Sequence, residues 1–334
     1  MTSRPRLTIG FDMRAPQWGT PAPALYKAAI EQVTWADRLG FETCTVNEHH
    51  NTIDGYIPSP RVLAAGMATV TQNIRLNISA LLVTLHHPIA VAEDLAVLDN
   101  LSNGRISAVI GAGYRKEEFL VFGTNWKRRP SLVIEAIETM RKAWTGEPFE
   151  FRGTTVTVLP KPARPGGPPL ALAGASEGAA RRAAQLAMPF VPVGRRWYDI
   201  YLEELGKLGA PIPDHPYFRF EEPQAHPHSF LHIANDPDAA WARIAPHALH
   251  HVNTYASWAQ RKDLTPFKAM DNADGLRGNG YLVVTPDECV KMAEEIGPNG
   301  RLHFFPLLGG LDPDVAWESL TLFEQKVLPR LGQG

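Results

Sequence analysis

Three consecutive residues that can transfer protons, Glu48, His49 and His50, follow a short apolar run at residues 43–46. Such a run predicts a β-strand, and α/β folds place their ligands at the carboxyl ends of strands. Histidine titrates near neutral pH, so the triplet could exchange protons, bind a metal ion or hold an anion. The alternative is a polar loop between a strand and a helix that carries no chemistry.

Strand-like and helix-like patterns alternate along most of the chain. Helical spacing before the triplet ends at Gly40, and Pro88 suits the first turn of a later helix. Strand-like runs are predicted at 7–11, 43–46, 75–83, 106–110, 170–173, 190–191, 230–233 and 302–305. Each is followed by a helix candidate, which predicts an α/β fold, a single (β/α)8 TIM barrel over residues 1–334.

Two stretches interrupt this alternation. Residues 147–160 are predicted to form a small hairpin, an excursion from the core. Residues 256–280 are polar, charged and glycine-containing, with little periodicity. An irregular stretch of that length inside a compact domain is typical of an active-site lid or a disordered loop. We therefore expect 256–280 to be a mobile lid insertion.

Composition narrows the classes of function. The 334 residues include 33 basic and 35 acidic side chains, a net charge of −2, with no long basic stripe, which argues against nucleic-acid binding. No window approaches 18 uninterrupted apolar residues, and no apolar region follows the polar N-terminus, so neither a membrane span nor a signal peptide is expected. Cys44 and Cys289 lie in apolar patterns and predict buried thiols in a reducing cytoplasm.

Two glycine motifs follow predicted strands. Gly111-Ala112-Gly113 resembles the start of a dinucleotide loop, but its third glycine is replaced by Lys116. A glycine pair at a strand end still lets a flat ring or a phosphate approach the backbone closely. Gly174-Ala175-Ser176-Glu177-Gly178 could be a hydrolase nucleophile elbow at Ser176, or a phosphate site at a helix N-terminus.

A metal site is a further possibility for the histidines. His49 and His50 could join His86 and His87, which follow the third predicted strand, as in a metallohydrolase barrel. The first strand, however, carries only Asp12 and lacks a His-x-His pair. We therefore predict no metal and keep the hydrolase as an alternative.

The order and spacing of many segments resemble the bacterial luciferase-like flavin monooxygenases, the alkanal monooxygenase type, over nearly the whole chain. The matching segments are Glu48-His49-His50, His87-Pro88, Ala92-Glu93-Asp94, Leu98-Asp99-Asn100-Leu101-Ser102-Asn103-Gly104-Arg105, Gly113-Tyr114-Arg115-Lys116-Glu117-Glu118-Phe119, Phe122-Gly123, Pro160-Lys161-Pro162, 173–183, Thr285-Pro286-Asp287-Glu288 and Gly309-Gly310-Leu311. The resemblance implies a (β/α)8 barrel with an insertion.

The resemblance also implies reduced FMN at the carboxyl mouth of the barrel. A non-proline cis peptide on the third strand, under the isoalloxazine, would map to Ser79-Ala80. The ring would be lined by Gly111, Ala112, Gly113 and Tyr114, and the phosphate held by Gly174, Ala175 and Ser176. Many members carry an arginine for the phosphate where this chain has Ala112, and Arg115 could substitute for it. A deazaflavin-using branch shares the barrel, and the Glu-His-His triplet favours FMN.

From the resemblance we expect a two-component monooxygenase that receives reduced FMN from a separate reductase. A flavin 4a-hydroperoxide would transfer one oxygen atom from dioxygen to a small organic, apolar substrate. His49 is expected to act as general base or proton shuttle, with His50 and Glu48 orienting it and holding the substrate. Phe11, Trp18 and Tyr56 are expected to face the pocket. The family often dimerises through helices beside the Glu-His-His strand, so a homodimer or hetero-oligomer is expected.

Overall fold

The computed structural model describes residues 4–213, 215, 217–218, 224–258 and 268–332. The strands among them are β1 (Arg6–Phe11), β2 (Thr43–Val46), β3 (Arg75–Leu81), β4 (Ile106–Ile110), β5 (Phe149–Phe151), β6 (Thr154–Val156), β7 (Leu170–Gly174), β8 (Phe190–Pro192), β9 (His228–Ile233), β10 (Gly280–Val284) and β11 (Arg301–Phe304). The helices are α1 (Ala22–Arg38), α2 (Pro60–Val70), α3 (Pro88–Leu101), α4 (Lys116–Val121), α5 (Arg129–Ala143), α6 (Glu177–Gln185), α7 (Arg195–Leu208), α8 (Pro237–Trp258), α9 (Pro286–Ile296) and α10 (Pro313–Leu322). Short 3-10 turns lie at Val83–Leu85, Trp126–Arg128, Leu308–Gly310 and Leu328–Arg330, and a π-helical turn at Phe323–Val327.

The chain divides into two compact units. The first unit comprises Met1–Thr45, Thr52–Pro58 and Glu221–Gly334, and the second comprises Val46–Asn51 and Ser59–Phe220. In the first unit, β1 lies between β11 and β2, and it runs parallel to β11. Strands β9 and β10 form a separate parallel pair. Helices α8 and α10 supply apolar side chains, among them Ile244, Val252 and Val315, to a buried cluster with this pair.

The second unit contains four neighbouring strands in the order β3–β4–β7–β8, and every neighbouring pair is parallel. All five residues of β4 are buried, as expected for a parallel strand that is covered on both faces. Because the strands are parallel, the carboxyl ends of β3, β4 and β7 lie along one edge of the array. Strands β5 and β6 form an antiparallel hairpin.

The predicted α/β class is confirmed, and all eight predicted strands and the hairpin at 147–160 are present. The third strand ends at Leu81 rather than at 83, because the chain turns at Leu82 into a 3-10 turn. Strand β10 was not predicted, since its first residue, Gly280, was assigned to the irregular stretch.

The predicted lid has three parts in the structure. Residues 256–258 are the last residues of α8, and 259–267 lie outside the described residues. Beyond them the segment is packed: the side chain of Asn253 exchanges two hydrogen bonds with the backbone of Met270, and Ala273 and Leu276 are buried. A lid role for the remainder stays a prediction. In the described residues, no helix has the length and apolarity needed to cross a bilayer.

Candidate active site

The Glu48-His49-His50 triplet follows the end of β2, as predicted, and belongs to the second unit. All three residues are buried, with 2%, 7% and 8% of the whole-residue surface exposed. Since exposed loop side chains would be solvated, this burial distinguishes the triplet from an ordinary polar loop.

Glu48 accepts three hydrogen bonds. One carboxylate oxygen, Oε1, lies 2.9 Å from Nε2 of His50 and 2.5 Å from Nε2 of His86. The other, Oε2, accepts from the backbone N–H of Leu82 at 2.7 Å. Burial alone would raise the pKa of Glu48, but the bonds from His50, His86 and Leu82 lower it to about 2. Glu48 therefore stays ionised near neutral pH and has no proton to give to a substrate.

His49 is oriented by a different carboxylate. Its Nδ1 lies 2.9 Å from Oε1 of Glu118, which also accepts from the backbone N–H of His50 at 2.9 Å and from Arg115 at 3.2 Å. Because Oε1 is an acceptor in these bonds, we assign the ring proton of His49 to Nδ1. Nε2 then presents its lone pair, 3.4 Å from the hydroxyl of Tyr114. This arrangement of carboxylate and imidazole suits a general base.

The expected orientation of His49 by Glu48 is thus corrected. Glu118 takes that position, while Glu48 holds His50 and His86. Glu118 lies in one of the segments that resemble the family but was not predicted to have a role, and His86 was considered only as a metal ligand. The available signal was positional: both residues follow strands whose ends lie near the triplet.

Arg115 has partners other than a phosphate. Its Nη1 donates to the carbonyl of His50 at 2.7 Å and to Glu118, and its Nη2 donates to the carbonyl of Asn51 at 3.4 Å. The Arg115 side chain is buried, with 8% of its surface exposed. The expectation that Arg115 replaces the missing phosphate-binding arginine is therefore not supported by its contacts.

Small residues at the ends of β3 and β4 form a surface on which a flat ring could lie. The Ser79-Ala80 peptide is cis, as the resemblance implied. The N–H of Gly111 donates to the carbonyl of Leu81 at 2.9 Å. A Cβ atom at Gly111 would lie only 2.9 Å from Cβ of Ala80 and 3.1 Å from Leu82. The close approach of the two strand ends requires glycine at position 111, and the small residues Ser79 and Ala80 beside it are only partly buried, so a flat ring could contact them.

The segment after β4 continues this surface. Gly113 has a φ of +67°, and a Cβ there would lie 3.0 Å from the ring of Phe119, so glycine is needed for both reasons. The carbonyl of Ala112 accepts from the hydroxyl of Thr84 at 3.2 Å. Tyr114 is 41% exposed and carries the hydroxyl beside His49. Their contact with a flavin ring stays a prediction.

Gly174, Ala175 and Ser176 follow the end of β7. A Cβ at Gly174 would lie 2.3 Å from Cβ of Ala179, so the strand-to-helix turn is tight. The hydroxyl of Ser176 accepts from the N–H of Ala179 at 3.3 Å and caps α6. Among the described residues no histidine is hydrogen-bonded to Ser176, which argues against a nucleophile. The remaining N–H groups of the first helical turn suit a phosphate.

The arrangement around His86 bears on the metal alternative. One possible ligand atom from each of Glu48, His50 and His86 lies within 4.8 Å of the other two. However, Nη2 of Arg61 donates to Nδ1 of His86 at 3.2 Å. Arginine is only a donor, so the proton of this ring is on Nε2 and points at Glu48. A metal ligand needs that lone pair, with an acceptor at the other nitrogen. The geometry favours a hydrogen-bonded cluster.

The three aromatic residues expected in a substrate pocket differ in exposure, and all belong to the first unit. Phe11 and Tyr56 are each only 1% exposed, so both pack in the interior, and this expectation was wrong for them. Trp18 is 55% exposed and lies 4.8 Å from the ring of His247, at the edge of a groove of about 660 Å³.

Comparisons with known proteins agree with this geometry. The profile of one family, luciferase-like monooxygenase, matches residues 9–299. A 4-hydroxyprotoasukamycin monooxygenase of Streptomyces nodosus subsp. asukaensis is 30% identical over 44% of this chain and 41% of its own length. The alkanal monooxygenase alpha chain of Photorhabdus luminescens is 28% identical over 47% of this chain and 44% of its own length. The chain thus spans less than half the length of these two curated relatives.

Solved structures share the fold over nearly the whole chain. Monooxygenase RslO1 from Streptomyces bottropensis has a TM-score of 0.73 at 21% identity, covering 97% of this chain and 99% of its own. The oxygenating constituent of 3,6-diketocamphane monooxygenase from Pseudomonas putida, in complex with FMN, has a TM-score of 0.69 at 20% identity, covering 98% of both chains. An F420-dependent secondary alcohol dehydrogenase has a TM-score of 0.63 at 17% identity, covering 99% of both chains.

Proposed function

The chain belongs to the luciferase-like monooxygenase family, and from this premise we propose that it is an FMN-dependent monooxygenase. Reduced FMN, when bound, would supply the reaction with dioxygen. One oxygen atom then passes to a small organic substrate and the other leaves as water. The observation that carries the proposal is the group of small residues at the ends of β3 and β4, where Gly111 packs closely against Ala80, in the same unit as the oriented base His49.

Each part of the cofactor has residues that suit it. The ring would lie on Ser79, Ala80, Gly111, Ala112, Gly113 and Tyr114, and the phosphate would be held by Gly174, Ala175 and Ser176. At every contact except Tyr114, a small side chain or glycine lets backbone N–H groups reach the cofactor directly. Since Ala112 stands where many relatives carry an arginine, the phosphate would depend on these N–H groups and on the Ser176 hydroxyl.

The protein's own chemistry is the movement of a proton. His49 would accept a proton from the substrate at Nε2 and return it as water leaves. Glu118 would hold Nδ1 throughout and stabilise the imidazolium. His50 and Glu48, being engaged with one another, would shape the site rather than exchange protons with the substrate.

FMN is preferred over a deazaflavin because a structural neighbour was solved with FMN and the Glu-His-His triplet resembles the luciferase-type branch. The F420-dependent neighbour makes the deazaflavin the competing outcome. The proposal includes a separate reductase, because the chain has no convincing nicotinamide motif. It also includes a reducing cytoplasm as the location, where the buried Cys44 and Cys289 would remain thiols.

The cofactor is tested by anaerobic titration of the purified chain with reduced FMN and with reduced F420, followed by visible absorbance. We expect saturable binding of FMN, and oxygenated product when a flavin reductase and candidate apolar substrates are added. Tighter binding of F420 would favour the deazaflavin alternative. Binding of neither would contradict the proposal.

The role of His49 is tested by His49→Ala. We expect turnover to fall about 10²- to 10⁴-fold, the range of general acid–base catalysis, with FMN affinity nearly unchanged. His226→Ala is a matched control, since His226 is an exposed histidine paired with Glu295. Wild-type turnover in His49→Ala would remove His49 from this role.

A further inference from the structure

The backbone that follows β3 is held from two sides. On one side, the carbonyl of Leu81 accepts from the N–H of Gly111 at the end of β4. On the other side, the N–H of Leu82 donates to Oε2 of Glu48 at 2.7 Å. Leu82 is two residues after Ala80, so the second bond acts directly on the segment that would carry the flavin ring. The position of Glu48 therefore affects the position of that segment.

Glu48 is itself positioned by His86. The distance from Nε2 of His86 to Oε1 of Glu48 is 2.5 Å, and the side chain of Glu48 has no exposed surface at which water could replace this bond. This bond exists only when the proton of His86 is on Nε2. Arg61 imposes that tautomer, because its guanidinium donates to Nδ1 at 3.2 Å. Arg61 is in turn paired with Asp94 at 2.7 Å.

We propose that Arg61, His86 and Glu48 form a positioning relay for the cofactor surface. Arg61 sets the tautomer of His86, His86 orients Glu48, and Glu48 fixes the Leu82 amide beside the Ser79-Ala80 peptide. The relay rests on the proposed function for its purpose but on hydrogen bonds of the chain alone for its existence. His86 is thus a positioning residue: none of its bonds in the described structure is to the surface itself.

The chemistry of side-chain amides provides a sharp test. The amide nitrogen of glutamine occupies about the position of histidine Nε2, so His86→Gln keeps a donor toward Glu48. Asparagine matches Nδ1 instead, so His86→Asn loses that donor at similar size. A role of His86 in packing alone would not separate these two variants.

Hydrogen exchange at the Leu82 amide measures the relay without any cofactor. We expect His86→Ala and His86→Asn to raise its exchange rate about tenfold relative to wild type, and His86→Gln to restore slow exchange. Wild-type exchange in folded His86→Ala, or equal exchange in the Asn and Gln variants, would overturn the proposal. Arg61→Met provides a second variant if His86→Ala does not fold. It should raise exchange in the same direction, and no change would count against the relay.

Affinity for oxidised FMN, measured by quenching of its fluorescence, tests the purpose of the relay. We expect about tenfold weaker binding in His86→Asn and Arg61→Met, and recovery in His86→Gln. Arg152→Met is the matched control, because Arg152 is an exposed arginine of the same unit paired with Glu135. If the wild type binds neither oxidised nor reduced FMN, the proposed function fails, while exchange at Leu82 still decides whether the relay exists.

Discussion

The two carboxylates of the site differ in how completely their oxygens are bonded. Both oxygens of Glu48 accept hydrogen bonds, from two imidazoles and one backbone N–H. In Glu118, Oε1 accepts from His49, His50 and Arg115, whereas Oε2 is buried with no hydrogen-bond partner in the described part of the chain. Glu48 is therefore suited to holding structure, and Glu118 to supporting a proton transfer at His49.

Glu48→Gln should remove a contribution to the free energy of unfolding that is present near neutral pH and lost in acid. The pKa of Glu48 is lowered from 4.5 to about 2. The ionised form therefore stabilises the fold above pH 4.5, and this contribution is lost as the pH falls from 4.5 toward 2. Its size is at most about 3 kcal/mol. Glutamine carries no charge, and its NH2 group must replace one of the two accepting oxygens. That NH2 group then faces another donor, either the Leu82 N–H or the two histidines, and the hydrogen bond at that position is lost.

The measurement is urea unfolding at pH 6 and pH 3. The free-energy difference between wild type and Glu48→Gln should be large at pH 6 and smaller at pH 3. Glu318→Gln serves as the control, since Glu318 is exposed and paired with the exposed Arg243. A difference that does not change with pH would contradict the assignment.

At the scale of elements, the ends of the parallel strands carry the small residues of the cofactor surface, and the segments that follow the strands carry the polar residues of the site. Ala80 is the next-to-last residue of β3, Gly111 directly follows β4, and the short helix α4 after β4 brings Glu118 within hydrogen-bond distance of His49. A side chain added at Gly111 would disturb this arrangement, because the neighbouring strand leaves no room for one.

Gly111→Ala should disturb the cofactor surface. The new Cβ would lie 2.9 Å from Ala80, so one of the two strand ends must shift. We expect a loss of about 1–3 kcal/mol in unfolding free energy and weaker flavin binding. Gly206→Ala is the control: nothing lies within 4 Å of its Cβ, and in α7 it should stabilise the protein by up to about 1 kcal/mol. Unchanged stability and binding in Gly111→Ala would show that the surface is more open than this spacing indicates.

In the first unit, a buried arginine joins three elements. Arg14, after β1, is ion-paired with Asp12 at 3.0 Å and with Asp54 at 2.5 Å. Asp54 also accepts from His250 of α8 at 2.9 Å. The Arg14 guanidinium lies 4.6 Å from the ring of Tyr56, and Tyr255 and Trp258 of α8 cover it as well. Burial raises the pKa of Asp12 to about 6, although the charge of Arg14 opposes this shift. Burial also acts to raise the pKa of Asp54, but the hydrogen bonds from His250 and Arg14 outweigh it and lower that pKa.

Arg14→Met should destabilise the first unit strongly. It leaves two buried carboxylates without their cation and removes the contacts with the aromatic rings. We expect a loss of about 3–5 kcal/mol in unfolding free energy, measured in urea. Arg243→Met, which breaks the exposed pair with Glu318, should cost no more than about 1 kcal/mol. Equal losses in the two variants would mean that burial does not govern the effect of Arg14.

At the scale of the whole molecule, charge and exposed apolar surface bear on partners. The net charge of −2 gives no reason to expect nucleic acid. Helices α2 and α3, which contact one another in the second unit, expose Val62, Val70, Val97 and Leu101 by 40% to 72%. Exposed apolar side chains on adjacent helices suit a protein interface. On this observation we propose that the chain forms the homodimer expected from the family resemblance.

The double variant Val62→Asp/Leu101→Asp should therefore be monomeric under conditions in which the wild type is a dimer. Sedimentation velocity at micromolar concentration measures this directly. Leu208→Asp is the control, because Leu208 is an apolar residue on α7 with similar exposure, 51%. A monomeric wild type would exclude the dimer. A double variant that remains dimeric would show that the interface lies elsewhere.

The strands and the position of the triplet could be predicted from the sequence because they depend on local pattern. Alternating apolar runs and helical spacing located all eight predicted strands, and the triplet at the end of β2 followed from chain order alone. Strand β10 was missed because it starts at Gly280, directly after a polar stretch. The apolar Phe11 and Tyr56 were misplaced because a pattern does not distinguish an interior aromatic from one that lines a pocket.

The chain by itself determined which residue types are available at each strand end, and so which chemistry is possible. Only the tertiary structure decided which side chains form hydrogen bonds: Glu118 with His49, 69 positions apart, and Glu48 with His86, 38 positions apart. Such pairs depend on the register of neighbouring strands and on a proton's place on an imidazole ring. A local sequence pattern predicts neither the register nor the proton position, because both are set only when distant backbone segments pack together and exclude water.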